Sequence, residues 1–293
     1  MSKNTFQNKI VLVTGAAGSI GSALCRRIAK LSPKKLIILD CDETGIFDMY
    51  EELHGAIYSI SNIRDREKID FVFDSYQPDI VFHAAAYKHV ALMEIEPNEA
   101  YKTNILGTEN VLQAATRNKA QKFIFISSDK AVNPTCWMGK TKKAGEKLCL
   151  ENVSKTKCII VRFGNVMASR GSLVPILQKQ IAENKNLTVT HPKMERYMMG
   201  IYEAVDLVLE ASRIGNDKHT YVLDMGEPVK IDEFARTMIR ISGKPLEIEY
   251  TNPKKGEKFS EELMTKSEKE LATKSGNLWI IPHKATSSGP KDQ

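Results

Sequence analysis

Lys9-Ile-Val-Leu-Val-Thr-Gly-Ala-Ala-Gly-Ser-Ile-Gly21 decides how the rest of this chain is read. Ile10 to Thr14 is a short apolar run rich in β-branched residues, the pattern of a strand buried on both faces. Gly15, Gly18 and Gly21 follow in the spacing G-x-x-G-x-x-G, and Ile20, Leu24, Ile28 and Leu31 then share one helical face. The spacing differs by one residue from the dinucleotide fingerprint G-x-G-x-x-G, but the physical demands are similar. The chain must turn tightly out of the strand, bring bare backbone N–H groups close to a pyrophosphate, and let helix and strand pack without an intervening side chain. Three glycines alone mean little, because turns collect glycine. Between a strand and an amphipathic helix they offer Thr14, Gly15, Ala17, Gly18, Ser19, Ile20 and Gly21 to a dinucleotide.

An acid completes the pattern. Asp40 stands 19 residues beyond Gly21, at the end of a second apolar run, Lys35–Asp40. A carboxylate there accepts hydrogen bonds from the ribose hydroxyls of NAD and repels the 2′-phosphate of NADP. Cys41, Asp42 and Glu43 follow, with no arginine to receive a phosphate, so NAD is the expected cofactor. The competing role for Asp40, a helix N-cap, accounts for none of the glycines.

Further out, Asp79–His83, Lys122–Ser127 and Cys158–Arg162 repeat the short apolar run, with helical periodicity between them. This βαβ alternation predicts an α/β fold, a doubly wound parallel sheet, with a smaller C-terminal α/β region. After about Gly171 the alternation fades, and helices are expected near Ile201–Arg213 and Ile231–Ser242. The expected division is a nucleotide-binding domain over 1–165, a substrate-binding domain over 166–284 and a flexible tail over 285–293.

With 293 residues, 42% hydrophobic and 27% charged, the chain can bury a sizeable core, which excludes disorder and coiled coil. No apolar stretch is long enough for a membrane span, and the glycines interrupt the one signal-like segment, Ile10 to Cys25. A soluble, unprocessed protein is expected. Net charge is +6, and six lysines fall between Lys140 and Lys157; interleaved with Glu146 and Glu151, they read as a solvated helix face rather than a nucleic-acid or membrane surface. Five cysteines without metal-ligand spacing suit a reducing, cytoplasmic setting and predict no metal site.

Other segments resemble the extended short-chain dehydrogenases/reductases. His83-Ala84-Ala85-Ala86 is similar to their cofactor-side strand signature, and Thr103-Asn104 to their helix asparagine. Ala86-Tyr87-Lys88-His89-Val90, Ser127-Ser128-Asp129-Lys130-Ala131-Val132-Asn133-Pro134, Val161-Arg162-Phe163-Gly164-Asn165-Val166, Ser169-Arg170-Gly171-Ser172, Thr188-Val189-Thr190-His191-Pro192 and Gly256-Glu257-Lys258 resemble the polysaccharide-biosynthesis branch. The match runs in order from about residue 9 to residue 264. That branch holds nucleotide-sugar 4,6-dehydratases, chiefly acting on UDP-N-acetylglucosamine, which supply sugars for surface glycans and glycoproteins. The resemblance implies a Rossmann-like, NAD-dependent hydro-lyase that forms homo-oligomers. It implies that Asn62, Ile63, His83, Ala84, Ala85, Ala86, Asn104 and Lys142 join the cofactor site.

The same resemblance makes Asp129 the acid and Lys130 the base, with Ser128 on the C4 oxygen. Neighbours on a strand point to opposite faces, so both can reach one sugar only if the strand ends by about Ser128. Burial is expected to keep Lys130 neutral and Asp129 protonated. Met138-Gly-Lys-Thr-Lys142 departs from the usual Tyr-x-x-x-Lys. The spacing still places Lys142 on the same helical face, but a thioether carries no proton, leaving the acceptor of the C4 hydroxyl proton open between Asp129 and water. Lys88, Asn165, Arg170, Thr188, Thr190, Arg196 and Glu257 form the expected substrate set. Asn165, Arg170 and Arg196 are the diphosphate candidates, the arginines for their bidentate reach, with the Glu195 carboxylate expected to occupy Arg196 in part. Lys254-Lys255-Gly256-Glu257 departs from the family's R-P-G-E, which leaves the nucleotide base open. An epimerase or reductase on the same fold, and a silent NAD-binding scaffold, are the competing readings.

Overall fold

The computed structural model describes residues 5–283; the expected tail lies outside the described residues. The first half alternates β1 (Ile10–Thr14), α1 (Ser19–Ala29), β2 (Lys35–Asp40), α2 (Glu43–Glu52), β3 (Ile57–Ile60), α3 (Arg66–Tyr76) and β4 (Ile80–His83). Short helices α4 (Val90–Ile95) and α5 (Pro97–Tyr101) lead through a π-helical turn at Lys102–Gly107 into α6 (Thr108–Arg117). Then come β5 (Lys122–Ile126), a 3-10 turn at Asp129–Ala131, α7 (Trp137–Glu151) and β6 (Lys157–Arg162). The remainder contains β7 (Asn165–Val166), α8 (Leu173–Ala182), β8 (Leu187–Val189), β9 (Glu195–Arg196), β10 (Met198–Met199), α9 (Ile201–Ile214) and β11 (His219–Leu223). It ends with β12 (Val229–Lys230), α10 (Ile231–Ser242), β13 (Ile248–Tyr250), α11 (Lys266–Leu271), β14 (Thr273–Ser275) and β15 (Leu278–Pro282).

One nine-stranded sheet, ordered β14-β15-β11-β6-β5-β4-β1-β2-β3, organises the molecule. It is parallel from β3 to β11 and antiparallel only at β15 and β14. Alternate residues of each central strand enter two different cores. Val11, Val13, Ile38, Phe82, Ile124 and Val161 face one layer, while Leu12, Ile37, Val81, Phe123, Phe125 and Ile160 face the other. That double burial is why the strands read as unbroken apolar runs.

The order reverses between β1 and β4, and ligands of doubly wound sheets bind at the carboxyl ends of the strands at such a point. The division expected after residue 165 is crossed by the sheet. β11, β14 and β15 all come from the 166–284 stretch, and they pair the backbone edge that β6 would otherwise expose. What remains of the C-terminal region is a smaller core around Leu177, Leu187, Val189, Met194, Ile231 and Ala235, under the parallel pair β8–β13. Among the described residues no helix is long and apolar enough to cross a membrane.

Candidate active site

The glycine loop is built as its spacing predicts. Gly15 has φ +67°, and a Cβ there would lie 2.5 Å from the Ala85 backbone nitrogen; one at Gly21 would lie 2.0 Å from the Gly15 carbonyl oxygen. Both positions therefore exclude any side chain. Gly18 precedes α1 with no side-chain cap, and the first turn carries no acid, so the helix N-terminus is free to receive an anion. Asp40 is not a helix cap; Asp42 caps α2 through Gly45 N–H. Instead Asp40 accepts from Ala17 N–H at 2.9 Å and Asp42 N–H at 3.0 Å, fastening the loop to β2. Each carboxylate oxygen keeps a lone pair for a ribose hydroxyl. The donor set thus fits a dinucleotide, with the diphosphate at the α1 terminus and the ribose at Asp40.

Other expected cofactor residues divide. Ala84, Ala85 and Ala86 line the end of β4, with Ala84 N–H bonded to the Thr14 carbonyl. His83 lies elsewhere than expected: it is fully buried between Thr14 Oγ1 (2.8 Å) and Thr108 Oγ1 (2.9 Å), stacked near Phe123 and Phe125. Burial, then the charge of Lys142, hold its imidazole down to about 3, so it is a neutral core tie. Ile63 is buried against Gly107, and Asn62 is exposed, accepting from Arg64 N–H. Asn104 sits in the π-helical turn and clamps the loop after β4, bonding both backbone groups of Tyr87 and Thr141 Oγ1. Its observed role is structural.

β5 ends at Ile126, and the 3-10 turn swings the following residues together. Lys130 Nζ lies 3.1 and 3.3 Å from the two Asp129 carboxylate oxygens and 3.3 Å from Asn165 Oδ1. Ser128 Oγ donates to Asp129 Oδ1 at 2.7 Å. On its other side Lys130 meets Glu261 Oε1 at 3.5 Å. Burial alone would lower the lysine pKa, but Asp129 and Glu261 outweigh it and the net shift is upward. The expected neutral lysine is therefore absent from the resting site: two carboxylates hold it as ammonium.

α7 supplies the next residues. Lys142 Nζ is buried, donating to the Ile126 carbonyl at 2.6 Å and lying 4.8 Å from the Phe125 ring centroid. Burial brings it down to about 8. Met138 packs with Met93, Ala100 and Cys136. Of the lysine-rich stretch, Lys147 and Glu151 pair on a solvated face as expected, whereas Lys142 and Glu146 are buried and turn inward, Glu146 meeting only the half-exposed Lys143 from that face.

The expected substrate residues also separate. Arg196 is buried, bonded to the backbone carbonyls of Glu195 and Phe259 and to Glu257 Oε1 at 3.0 Å. Its contact with Glu195 is to the carbonyl, not to the carboxylate as expected, because β9 and β12 pair at this point. Thr190 Oγ1 reaches the same Glu257 oxygen at 3.4 Å, whereas the Thr188 hydroxyl is taken by Gln180. Arg170 lies on the glycine loop: its N–H donates to Ser19 Oγ, and its guanidinium to Asp42 and the Ala17 carbonyl. These contacts place it beside the glycine loop and α2. Lys88 Nζ donates to Ser169 Oγ beside it, and burial followed by Arg170 lowers its pKa.

Two groupings escaped the sequence. One is Glu261. The other lies beneath the site: Ser127 Oγ donates to Glu146 Oε1, Arg162 binds Glu146 through Nε and Nη2, and its Nη1 and Nη2 bind Glu268. Glu146 follows Lys142 by four residues, so helical spacing alone placed it near the site. Among the described residues all five cysteines are free and no metal-ligand cluster occurs.

Fold and glycine loop together define an extended short-chain dehydrogenase/reductase. The chain belongs to the polysaccharide biosynthesis protein family, whose model matches residues 11–283. It is 47% identical over 277 residues to the probable polysaccharide biosynthesis protein EpsC of Bacillus subtilis (strain 168), covering 90% of this chain and 46% of that one. It is 38% identical over 288 residues to the UDP-glucose 4-epimerase of Rickettsia bellii, covering 94% and 84%. The crystal structure of Pen from Bacillus thuringiensis superposes with TM-score 0.90 at 36% identity, covering 94% and 90%. The chain spans about half the length of the EpsC relative.

Proposed function

We propose that this chain catalyses the 4,6-dehydration of a nucleotide sugar, with NAD as cofactor and UDP-N-acetylglucosamine as substrate. The observation that carries the reading is the Ser128–Asp129–Lys130 cluster, in which a hydroxyl, a carboxylate and an amine share hydrogen bonds at 2.7 and 3.1 Å. NAD, held by the glycine loop and Asp40, would supply reversible hydride transfer between C4 and C6. The protein's own work is proton transfer.

Met138 carries no titratable group, so the C4 hydroxyl proton passes through Ser128 Oγ to Asp129. Oxidation at C4 makes the C5 proton acidic. Lys130 removes it as the amine, while Asp129 gives its proton to O6, which departs as water. Lys130 then returns a proton to C5, leaving a 4-keto-6-deoxy sugar. Asn165 steadies the amine, and Lys142 would hold the nicotinamide ribose. Arg196, Thr190 and Glu257 attend the nucleotide.

The Rickettsia bellii relative's name favours a second reading, 4-epimerisation. That reaction uses no base at C5 and no acid at O6, which leaves Lys130 without a task and Asp129 with only the C4 proton. Incubating the NAD-loaded protein with UDP-N-acetylglucosamine and weighing the product distinguishes them. Dehydration predicts the loss of one water. An unchanged mass with an inverted C4 supports the epimerase, and absence of product supports a binding role alone.

A further inference from the structure

Lys130 must shed a proton before it can take one from C5, yet the resting site holds it as ammonium. The groups in contact with Nζ limit where that proton can go. Asn165 offers an amide oxygen, which is not basic. Asp129 is filled by the C4 proton in the preceding step. The remaining contact is Glu261 Oε1, at 3.5 Å.

Glu261 is built for more than a surface ion pair. It is 5% exposed, and its second oxygen, Oε2, has no hydrogen-bond partner among the described residues. Lys258 Nζ stands 3.9 Å away and is engaged by the Val132 carbonyl at 2.8 Å. A buried carboxylate oxygen without a hydrogen bond is costly in a finished structure and draws attention to chemistry. The charged and titratable groups around the Lys130–Glu261 pair are Asp129 and Arg196 on the lysine side, and Lys258 and the Cys136 thiol on the glutamate side.

We propose that Glu261 is the proton acceptor that empties Lys130, a positioning residue acting through that amine. The proposal rests on dehydration as the reaction. A Lys130 N–H bond breaks as a Glu261 O–H bond forms. The amine takes the C5 proton while Asp129 protonates O6 and the C6–O6 bond breaks. After Lys130 gives a proton back to C5, Glu261 returns the stored one to the amine. Protons balance over the cycle: O4 supplies the one that leaves in water, and Lys130, Asp129 and Glu261 end as they began.

Glu261→Gln tests this, because it keeps shape and polarity but cannot accept the proton. Turnover at neutral pH falls about 100-fold, within the range of a lost general acid–base group, while KM holds. Activity recovers as pH rises, since Lys130 then loses its proton to solvent. A purely electrostatic Glu261 gives the opposite result: its removal frees the amine and speeds the reaction at neutral pH. A neutral-pH rate equal to or above that of the natural enzyme overturns the proposal. A second readout needs no turnover. The pH midpoint for acetylation of Lys130 by acetic anhydride, followed by peptide mass spectrometry, drops by about one pH unit in the variant; an unmoved midpoint overturns the proposal even if the substrate assignment fails. Conversely, natural enzyme that removes no water while the midpoint moves refutes the reaction and not the Lys130–Glu261 contact. Should the variant not fold, Glu261→Asp draws the carboxylate about one methylene back, and an unchanged rate there also overturns the proposal.

Discussion

Two carboxylate–cation–carboxylate clusters lie at the ends of β5 and β6, and they are opposites. In Glu146–Arg162–Glu268 the cation is an arginine, fully buried, with bonds of 2.9–3.2 Å to both acids and to the Leu263 carbonyl. In Asp129–Lys130–Glu261 the cation is a lysine, part-buried, with contacts of 3.1–3.5 Å and one carboxylate oxygen without a hydrogen bond. Adjacent serines separate them: Ser127 serves Glu146 and Ser128 serves Asp129. Arginine stays charged and its fork fixes geometry, whereas a lysine can lose its proton when its surroundings change. The satisfied cluster holds α7, β6 and α11 together. The incomplete one is where the proposed proton transfers run.

The largest effect breaks the chemical cluster. Lys130→Ala is expected to lower dehydration by about 10²–10⁴-fold, with NAD affinity by calorimetry unchanged. Next is the structural cluster. Glu146→Ala leaves Arg162 buried without its bidentate partner and should cost about 3–5 kcal/mol in urea unfolding, while the folded fraction keeps its activity.

The clusters also separate in acid. Burial alone would push the Glu268 carboxyl up, but Arg162 overrides it and holds it down to about 2; Glu146 is lowered for the same reason. Carboxyls depressed in the folded state stabilise fully above their unfolded value and lose that contribution as pH falls through the folded one. Stability measured by urea titration should therefore decline between roughly pH 4.3 and 2, by on the order of 3 kcal/mol from Glu268, and that share of the decline should be missing in Glu268→Gln.

Smaller effects test the two ends of the site. Asp40→Asn should weaken NAD about tenfold, or about 1.4 kcal/mol, by calorimetry. Glu195→Thr should leave the substrate KM within about 0.5 kcal/mol, because Arg196 uses the Glu195 carbonyl rather than its side chain.

What the sequence disclosed follows from the range of each interaction. The glycine loop, Asp40, the early strands and the helices near 201–214 and 231–242 are governed by local spacing and periodicity, and they fold as read. His83 misled because its motif is local while its partners, Thr14 and Thr108, are not. Arg170 reaches the loop at Ala17 from 153 residues away. Glu261 meets Lys130 only because the chain beyond β13 returns to the active site, and no periodicity encodes that return. β3, whose Ile57–Ile60 is half polar in its surroundings, lies at the sheet edge and lacks the apolar run of its neighbours.

In the proposed reaction the proton at C5 leaves and returns through Lys130. The direct measurement is turnover of UDP-N-acetylglucosamine in deuterium oxide, with the product examined by mass spectrometry and proton NMR. The predicted product has lost one water and carries deuterium at C5, and Lys130→Ala yields neither change. A dehydrated product whose C5 hydrogen comes wholly from the substrate, or equal deuterium incorporation without Lys130, contradicts it.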